Sequence, residues 1–383
     1  QDLAKKTGAT IVYGPTAKPN FEALIAEDSE ILDLGGVKIK VLHTPGHTME
    51  STTYLLIDKN GKDHAIFTGD TLLLGDVGRP DLAVKTDLSR ADLAGHLYDS
   101  LRNRIMPLAD DIIVYPNHGK GSACGKNMSE LTQDTLGNQK RYNYALRLDM
   151  TREEFIKEVT ADLINPPQYF PKNAVLNKMG YESIDAIIKR GMRPLNITAF
   201  KKEVVENGAI IIDARDKQAF ADGHIPESVF IGIDDSFAPW VGALIFDLKQ
   251  PIVFLSDEGK EEEVVTRLAR VGYDNSVGFL KGGMETWQLA GESIKFVVQI
   301  TPEVFAAIYR DGKHLMDVRK ETEFSAQHIE GATSFPLEGI YDNFDSLDKN
   351  EILYLYCAGG YRSMIASSIL QAKGFEQIIN IQG

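Results

Sequence analysis

Residues 44–47 read Thr44-Pro45-Gly46-His47, and residues 67–70 read Phe67-Thr68-Gly69-Asp70. Each string closes a hydrophobic strand pattern on a residue type that binds metals. Val37, Ile39 and Val41 alternate with Lys38 and Lys40, the period of a half-buried strand, and Pro45-Gly46 then turns the chain to present His47. Asn60-Gly61 reads as a hairpin turn, after which Ala65-Ile66-Phe67 runs directly to Asp70. An imidazole and a carboxylate at strand ends are rigidly placed ligands. An open catalytic centre needs a third, which these two strings do not supply.

Around them, strand-like runs at 10–13, 37–42, 53–57, 64–67 and 112–115 are joined by a helix predicted over 89–105. Ser89 is placed to cap that helix, with Asp92 in its first turn and Leu93, Leu97, Leu101 and Ile105 along one face. Thr151 and Glu154 form a second capping box, and Asn165-Pro166-Pro167 is expected to end the helix it starts.

The 383 residues suit two or three domains. A hydrophobic share of 43% and a charged share of 25% are those of a globular chain. No apolar run approaches the roughly 18–20 residues that span a bilayer. The net charge of −14 argues against nucleic acid as a partner, since phosphate binding wants a basic surface. Two cysteines, Cys124 and Cys357, exclude a disulfide scaffold and fit a reducing cytoplasm.

The second half repeats itself. Asp213, Arg215, Phe220, His224 and Ile225 recur as Asp317, Arg319, Phe324, His328 and Ile329, each 104 residues on. The buried run 252–255 matches 352–356, and Gly272-Tyr273 matches Gly374-Phe375. Two tandem copies of a domain of about 100 residues follow, and their strand–loop–helix units imply parallel sheets flanked by helices.

The second copy carries Cys357-Ala358-Gly359-Gly360-Tyr361-Arg362-Ser363 between a buried strand and a helix predicted to start near Ser363. Successive N–H groups of a Gly-containing loop form a nest for an anion, and the helix N-terminus adds partial positive charge. Arg362 supplies a full one. Such a cradle favours a thiolate, a persulfide sulfur, or an approaching sulfite. The first copy has Ser256 in that loop and a run of carboxylates from Asp257 to Glu263, so no thiolate can form there. Asp317, Arg319 and His328 read as structural hydrogen-bonding residues.

The segments 44–48, 67–82 and 115–119 resemble the metallo-β-lactamase superfamily, and 69–82 resembles its persulfide dioxygenase branch. Both repeat copies resemble rhodanese, with Cys-x4-Arg matching its sulfur-transfer loop length, one residue shorter than that of related phosphatases. The resemblance implies an α/β chain. A metallo-β-lactamase αββα sandwich over 1–145 is followed by a helical connector (146–195) and two rhodanese-like parallel-sheet domains, inactive at 196–295 and active at 300–383. The sandwich is expected to be N-terminally incomplete, because the family's His-x-His-x-Asp-His motif does not precede His43, and the last domain is expected to be clipped at Gly383.

For the front domain the resemblance implies one mononuclear Fe(II), bound by His47, Asp70 and a histidine of the upstream motif, with zinc as the alternative. His118, in Tyr115-Pro116-Asn117-His118, is expected near the metal and is a ligand only in a two-metal reading. His43 is expected not to bind. Arg79 is the nearest basic residue to the expected mouth and is read as holding an acidic thiol persulfide, with Arg141 and Tyr142 as further candidates. Cys124, six residues past His118, is read as facing the same pocket and as a candidate second sulfur carrier.

For the last domain it implies Cys357 as nucleophile, with Gly359, Gly360, Tyr361, Arg362 and Ser363 binding the sulfur anion. The expected activity is oxidation of a low-molecular-weight thiol persulfide with O2 to sulfite, then sulfur transfer through Cys357 to give thiosulfate. Two alternatives are a glyoxalase II-like two-metal thioester hydrolase fused to a sulfurtransferase, and a non-enzymatic sulfur carrier. A homo-oligomer in the cytoplasm is expected.

Overall fold

The alternating run at 37–42 forms the strand Lys38–His43, antiparallel to Ile31–Asp33 on one side and to Thr52–Ile57 on the other. The Asn60-Gly61 turn, with Gly61 at φ +79°, returns the chain as Asp63–Gly69. Ile113–Pro116 then joins in parallel and Asp134–Thr135 closes the edge, giving a six-stranded mixed sheet. The computed structural model describes residues 1–81, 88–120, 122, 124–126, 128–161, 163, 169–309 and 314–382. They fall into two units, Gln1–Tyr181 and Glu182–Gly383.

In the first unit, Ser89 caps the helix Arg90–Ser100 in a capping box with Asp92, and a π-helical turn, Leu101–Ile105, extends it. Its apolar face puts Ala94, Leu97, Leu101 and Ile105 against Leu42, Leu55, Ile66 and Val114 of the sheet. Burying each such leucine contributes about 1.5–3 kcal/mol, so this layer dominates the unit's stability. The run 10–13 yields only a short strand, Val12–Tyr13, paired in parallel with Leu24–Ile25. The helix Arg152–Thr160 carries the Thr151–Glu154 capping box and adds Phe155 and Val159 to the same core. The expected helix stop at Asn165-Pro166-Pro167 lies outside the described residues.

The second unit contains two five-stranded sheets, every pairing in them parallel. The first runs Val229–Phe230, Ile210–Asp213, Ile252–Leu255, Ser276–Leu280, Pro194–Leu195; the second runs Thr333–Ser334, Leu315–Asp317, Leu353–Tyr356, Ile378–Ile381, Val298–Ile300. The spatial order is the same in both, so the repeat extends to topology. Ile252–Leu255 is buried along its whole length, as a central parallel strand covered on both faces must be. The helix Ile184–Gly191 and the strand Pro194–Leu195, inside the stretch read as a connector, belong to this unit. Among the described residues no helix is long and apolar enough to cross a membrane.

The loop after Lys38–His43 lies directly on the helix Arg90–Ser100. Ser100 Oγ donates to the Pro45 carbonyl at 2.7 Å, and Gly46 adopts φ +150° where a Cβ would sit 2.4 Å from Leu97 Cα. Both the backbone conformation and the close approach require glycine here. Gly46→Ala is therefore expected to cost about 2 kcal/mol or more, read as a lower denaturation midpoint at unchanged slope.

Candidate functional site

The metal-binding residue types at the two strand ends are brought together. His47 sits in the loop between Lys38–His43 and Thr52–Ile57, and Asp70 follows the strand Asp63–Gly69. Buried hydroxyls tie these loops: Thr44 Oγ1 lies 2.9 Å from Thr71 Oγ1 and 3.1 Å from Thr53 Oγ1. His47 Nε2 is 3.4 Å from Asp70 Oδ2, and His118 Nε2 is 3.5 Å from Asp70 Oδ1. The candidate ligand atoms of His47, Asp70 and Cys124 all lie within 4.8 Å of one another. His43 is elsewhere, its Nε2 against the Met49 carbonyl at 2.9 Å.

The backbone of Arg79 organises this cluster. Its carbonyl accepts from His47 Nδ1 at 2.8 Å, and its N–H donates to the Cys124 carbonyl at 3.0 Å. Because a carbonyl can only accept, His47 Nδ1 carries the proton and Nε2 keeps a lone pair facing Asp70. Gly78 brings this segment close, its N–H donating to the Asp70 carbonyl at 3.0 Å where a Cβ would lie 2.0 Å from that oxygen.

Burial pushes the His47 imidazole down, against the pull of Asp70. Burial also raises Asp70, but His118, His47 and Asn117 outweigh it and hold the carboxyl below its usual range. Asp70, then Cys124, pushes His118 up to about 10. Asp70 Oδ1 is buried and makes no hydrogen bond beyond the long 3.5 Å approach of His118 Nε2, which leaves it a lone pair to offer a cation. A free imidazole lone pair, a buried carboxylate oxygen and a buried thiol form a donor set that fits a metal ion.

The expectation that Arg79 offers a cation to substrate is corrected. Its guanidinium is 7% exposed and pairs with Asp81 through two bonds, of 2.6 and 2.7 Å. Its charge is neutralised in place. Arg141 and Tyr142 are likewise engaged, with Asn138 and Asp134.

In the second unit, the strand Leu353–Tyr356 runs into Cys357, and the helix starts at Tyr361, two residues before Ser363, from Gly360 at φ +78°. The Gly360 N–H donates to Cys357 Sγ at 3.1 Å, and Ser363 Oγ lies 3.5 Å from the same sulfur. Cys357 lines a cleft with Arg319, Gln327, His328, Ile329 and Tyr356. Arg362, expected to bring a full positive charge to the loop, is held by Glu323 through bonds of 2.6 and 3.0 Å. Glu323 was not legible as a partner, since it lies 39 residues away on another helix.

The scaffold beneath this loop is the same in both copies. Arg215 and Arg319 each clasp the aspartate two residues back through 2.9 and 2.6 Å bonds and also donate to a loop carbonyl, of Gly223 and Gln327 respectively. His224 and His328 each stack on a phenylalanine at 3.9 Å and bond that residue's carbonyl. Where the second copy places Cys357, the first places Ser256.

Comparison with known proteins agrees with this architecture. The rhodanese-like domain family matches residues 197–290 and 301–383. A solved structure, a metallo-β-lactamase from Staphylococcus aureus subsp. aureus COL, aligns with TM-score 0.61 at 26% identity, covering 73% of this chain and 79% of that one. Hydroxyacylglutathione hydrolase GloC of Haemophilus influenzae is 34% identical over 113 residues, 28% of this chain and 48% of that protein. A hydroxyacylglutathione hydrolase of Dictyostelium discoideum is 36% identical over 111 residues, 28% of this chain and 37% of its own length. The chain thus spans half or less of the length of these curated relatives. It combines a metallo-β-lactamase fold, which implies metal binding, with two rhodanese-like domains, both of them enzyme-like modules.

Arg362, through its hydrogen bonds, holds Glu323 down at about 2. A carboxyl lowered on folding stabilises fully above its ordinary value and loses that contribution as pH falls through the folded one. Between about pH 4.5 and 2, Glu323→Gln is expected to lose stability with a shallower pH slope than the parent chain, measured by denaturant midpoints across that window.

Proposed function

We propose that the chain is a sulfur-oxidising fusion enzyme. The front unit oxidises the sulfane sulfur of a small thiol persulfide, R–S–SH, and the last domain transfers a second sulfane sulfur onto the product. In balance, R–S–SH, O2 and water give R–SH and sulfite with release of protons; four electrons pass from the sulfane sulfur to dioxygen. The Cys357 thiolate attacks the outer sulfur of a second R–S–SH, whose S–S bond breaks to release R–SH and leave a persulfide on Cys357; sulfite then attacks that outer sulfur, the new S–S bond breaks, thiosulfate leaves and Cys357 returns as thiolate.

The observation that carries this reading is the coexistence on one chain of a histidine–carboxylate–thiol cluster and a cysteine whose sulfur is held by a loop N–H. His47 Nε2 and Asp70 would hold iron(II), with Cys124 beside them. Iron(II) supplies the one-electron chemistry that dioxygen requires and zinc lacks. The chain's own part is to fix the His47 tautomer through Arg79, to exclude water by burying His47 and Cys124, and to keep Asp70 ionised. At Cys357, the Gly360 N–H and the N-terminus of the helix Tyr361–Ala372 stabilise sulfur in its anionic forms. Joining the two steps keeps reactive sulfite near its consumer.

A second reading has specific support. His118 stands against Asp70 as a further imidazole, and the relatives above are named as hydroxyacylglutathione hydrolases. On that reading the cluster holds two zinc ions and hydrolyses a thioester of a small thiol.

Cys357→Ser separates the two halves of the proposal. With a persulfide as substrate, sulfite is expected to accumulate in place of thiosulfate while O2 uptake continues at the parent rate and persulfide consumption falls, because the second sulfane sulfur is no longer taken up. Undiminished thiosulfate would remove Cys357 from the scheme. Two zinc ions and no iron per chain, together with thioester hydrolysis, would favour the second reading.

A further inference from the structure

The cations nearest the sulfur loop within its own copy are already neutralised. Arg319 is paired with Asp317 and Arg362 with Glu323, each through more than one hydrogen bond. The first, cysteine-less copy supplies another. Lys217, the first residue of the helix Lys217–Asp222, donates from Nζ to the Gly359 carbonyl at 2.7 Å. Among the described residues no carboxylate pairs with it. The position 104 residues on is Glu321, so the contact is not reciprocated.

The Gly359 carbonyl and the Gly360 N–H are the two ends of one peptide unit. In a trans peptide they point in opposite directions, and the chain has no cis bond among its described residues. That N–H is the one that donates to Cys357 Sγ. A cation on the carbonyl oxygen therefore acts on the sulfur in two ways. It fixes the rotation of a peptide plane flanked by two glycines, which carry no side chain to hold it. It also polarises the amide, so that the N–H becomes a stronger donor. Tyr361 keeps the loop within reach of Lys217: its hydroxyl donates to the Gly232 carbonyl at 3.0 Å and its ring meets Phe230 edge-on.

We propose that Lys217 is a positioning residue for Cys357, holding the Gly359–Gly360 peptide with its N–H on the sulfur so that the copy without a cysteine tunes the thiolate of the copy that has one. The proposal rests on Cys357 being the sulfur-accepting nucleophile. It gives the first copy a task that its own loop, with Ser256 and its carboxylates, cannot perform.

The test is the alkylation of Cys357 by iodoacetamide in the full chain, followed by mass spectrometry of the peptide containing Cys357 from pH 6 to 10. The parent is compared with Lys217→Met and Lys217→Arg. Only the thiolate is alkylated, so Lys217→Met is expected to react about threefold or more slowly at neutral pH and at the parent rate at the alkaline end, where ionisation is complete; the size is that of one lost charge-assisted bond relayed through an amide. Lys217→Arg, which can still donate to the carbonyl, is expected to recover most of the neutral rate. A Lys217→Met chain of parental circular dichroism that follows the parent at every pH overturns the proposal. So does equal slowing of both variants at all pH values, which marks a structural defect. A parent chain that shows the alkylation pattern yet forms no thiosulfate rejects the sulfurtransferase reading and leaves the Lys217 contact standing.

Discussion

One backbone carbonyl, that of Arg79, decides what His47 can do. By accepting from Nδ1 it leaves Nε2 as a lone pair beside Asp70, and the N–H of the same residue holds the Cys124 segment. Without that bond the ring could turn or change tautomer, and the two strand-end donor groups would no longer converge. The glycines serve the same end: Gly46 seats the His47 loop on the helix beneath, and Gly78 lets the Arg79 segment reach Asp70. Side chains supply the chemistry at this centre, and main-chain groups supply its geometry.

The cysteine loop follows the same division. Its sulfur is met by a main-chain N–H, and the arginines around it are held by carboxylates. The two copies show what is scaffold and what is chemistry. The aspartate–arginine clasp and the histidine stacked on phenylalanine are kept to within a few tenths of an ångström in both, although only one copy has a thiol. Those groups support the fold, and the loop they frame is where the copies part.

Local patterns were legible in the sequence, and contacts at long separation were not. The alternation at 37–42, the Asn60-Gly61 turn, the Ser89 cap and the 104-residue repeat are encoded within a few neighbouring positions, so each could be read directly. The strand–loop–helix setting of Cys357 was legible because it is contiguous. The pairing of Arg79 and of Arg362 was not legible, because Asp81 competes for the one from two residues away and Glu323 reaches the other from a separate helix. Charge in a sequence says nothing about whether a partner has already claimed it. Lys217 carries no signal at all, since its meaning lies in a carbonyl 142 residues away. Cys124 was legible as a neighbour of His118 in the chain, but its closeness to His47 and Asp70 follows only from how the Arg79 backbone folds between them.

The central claim is that the cluster at His47 and Asp70 serves oxygen chemistry on sulfur. An oxygen electrode reading on the iron-loaded full chain, with a small thiol persulfide as the limiting reagent, tests it most directly. The account predicts uptake of one O2 for each sulfite released or captured as thiosulfate. Persulfide turnover without oxygen uptake, or no turnover beside brisk thioester hydrolysis, would contradict it.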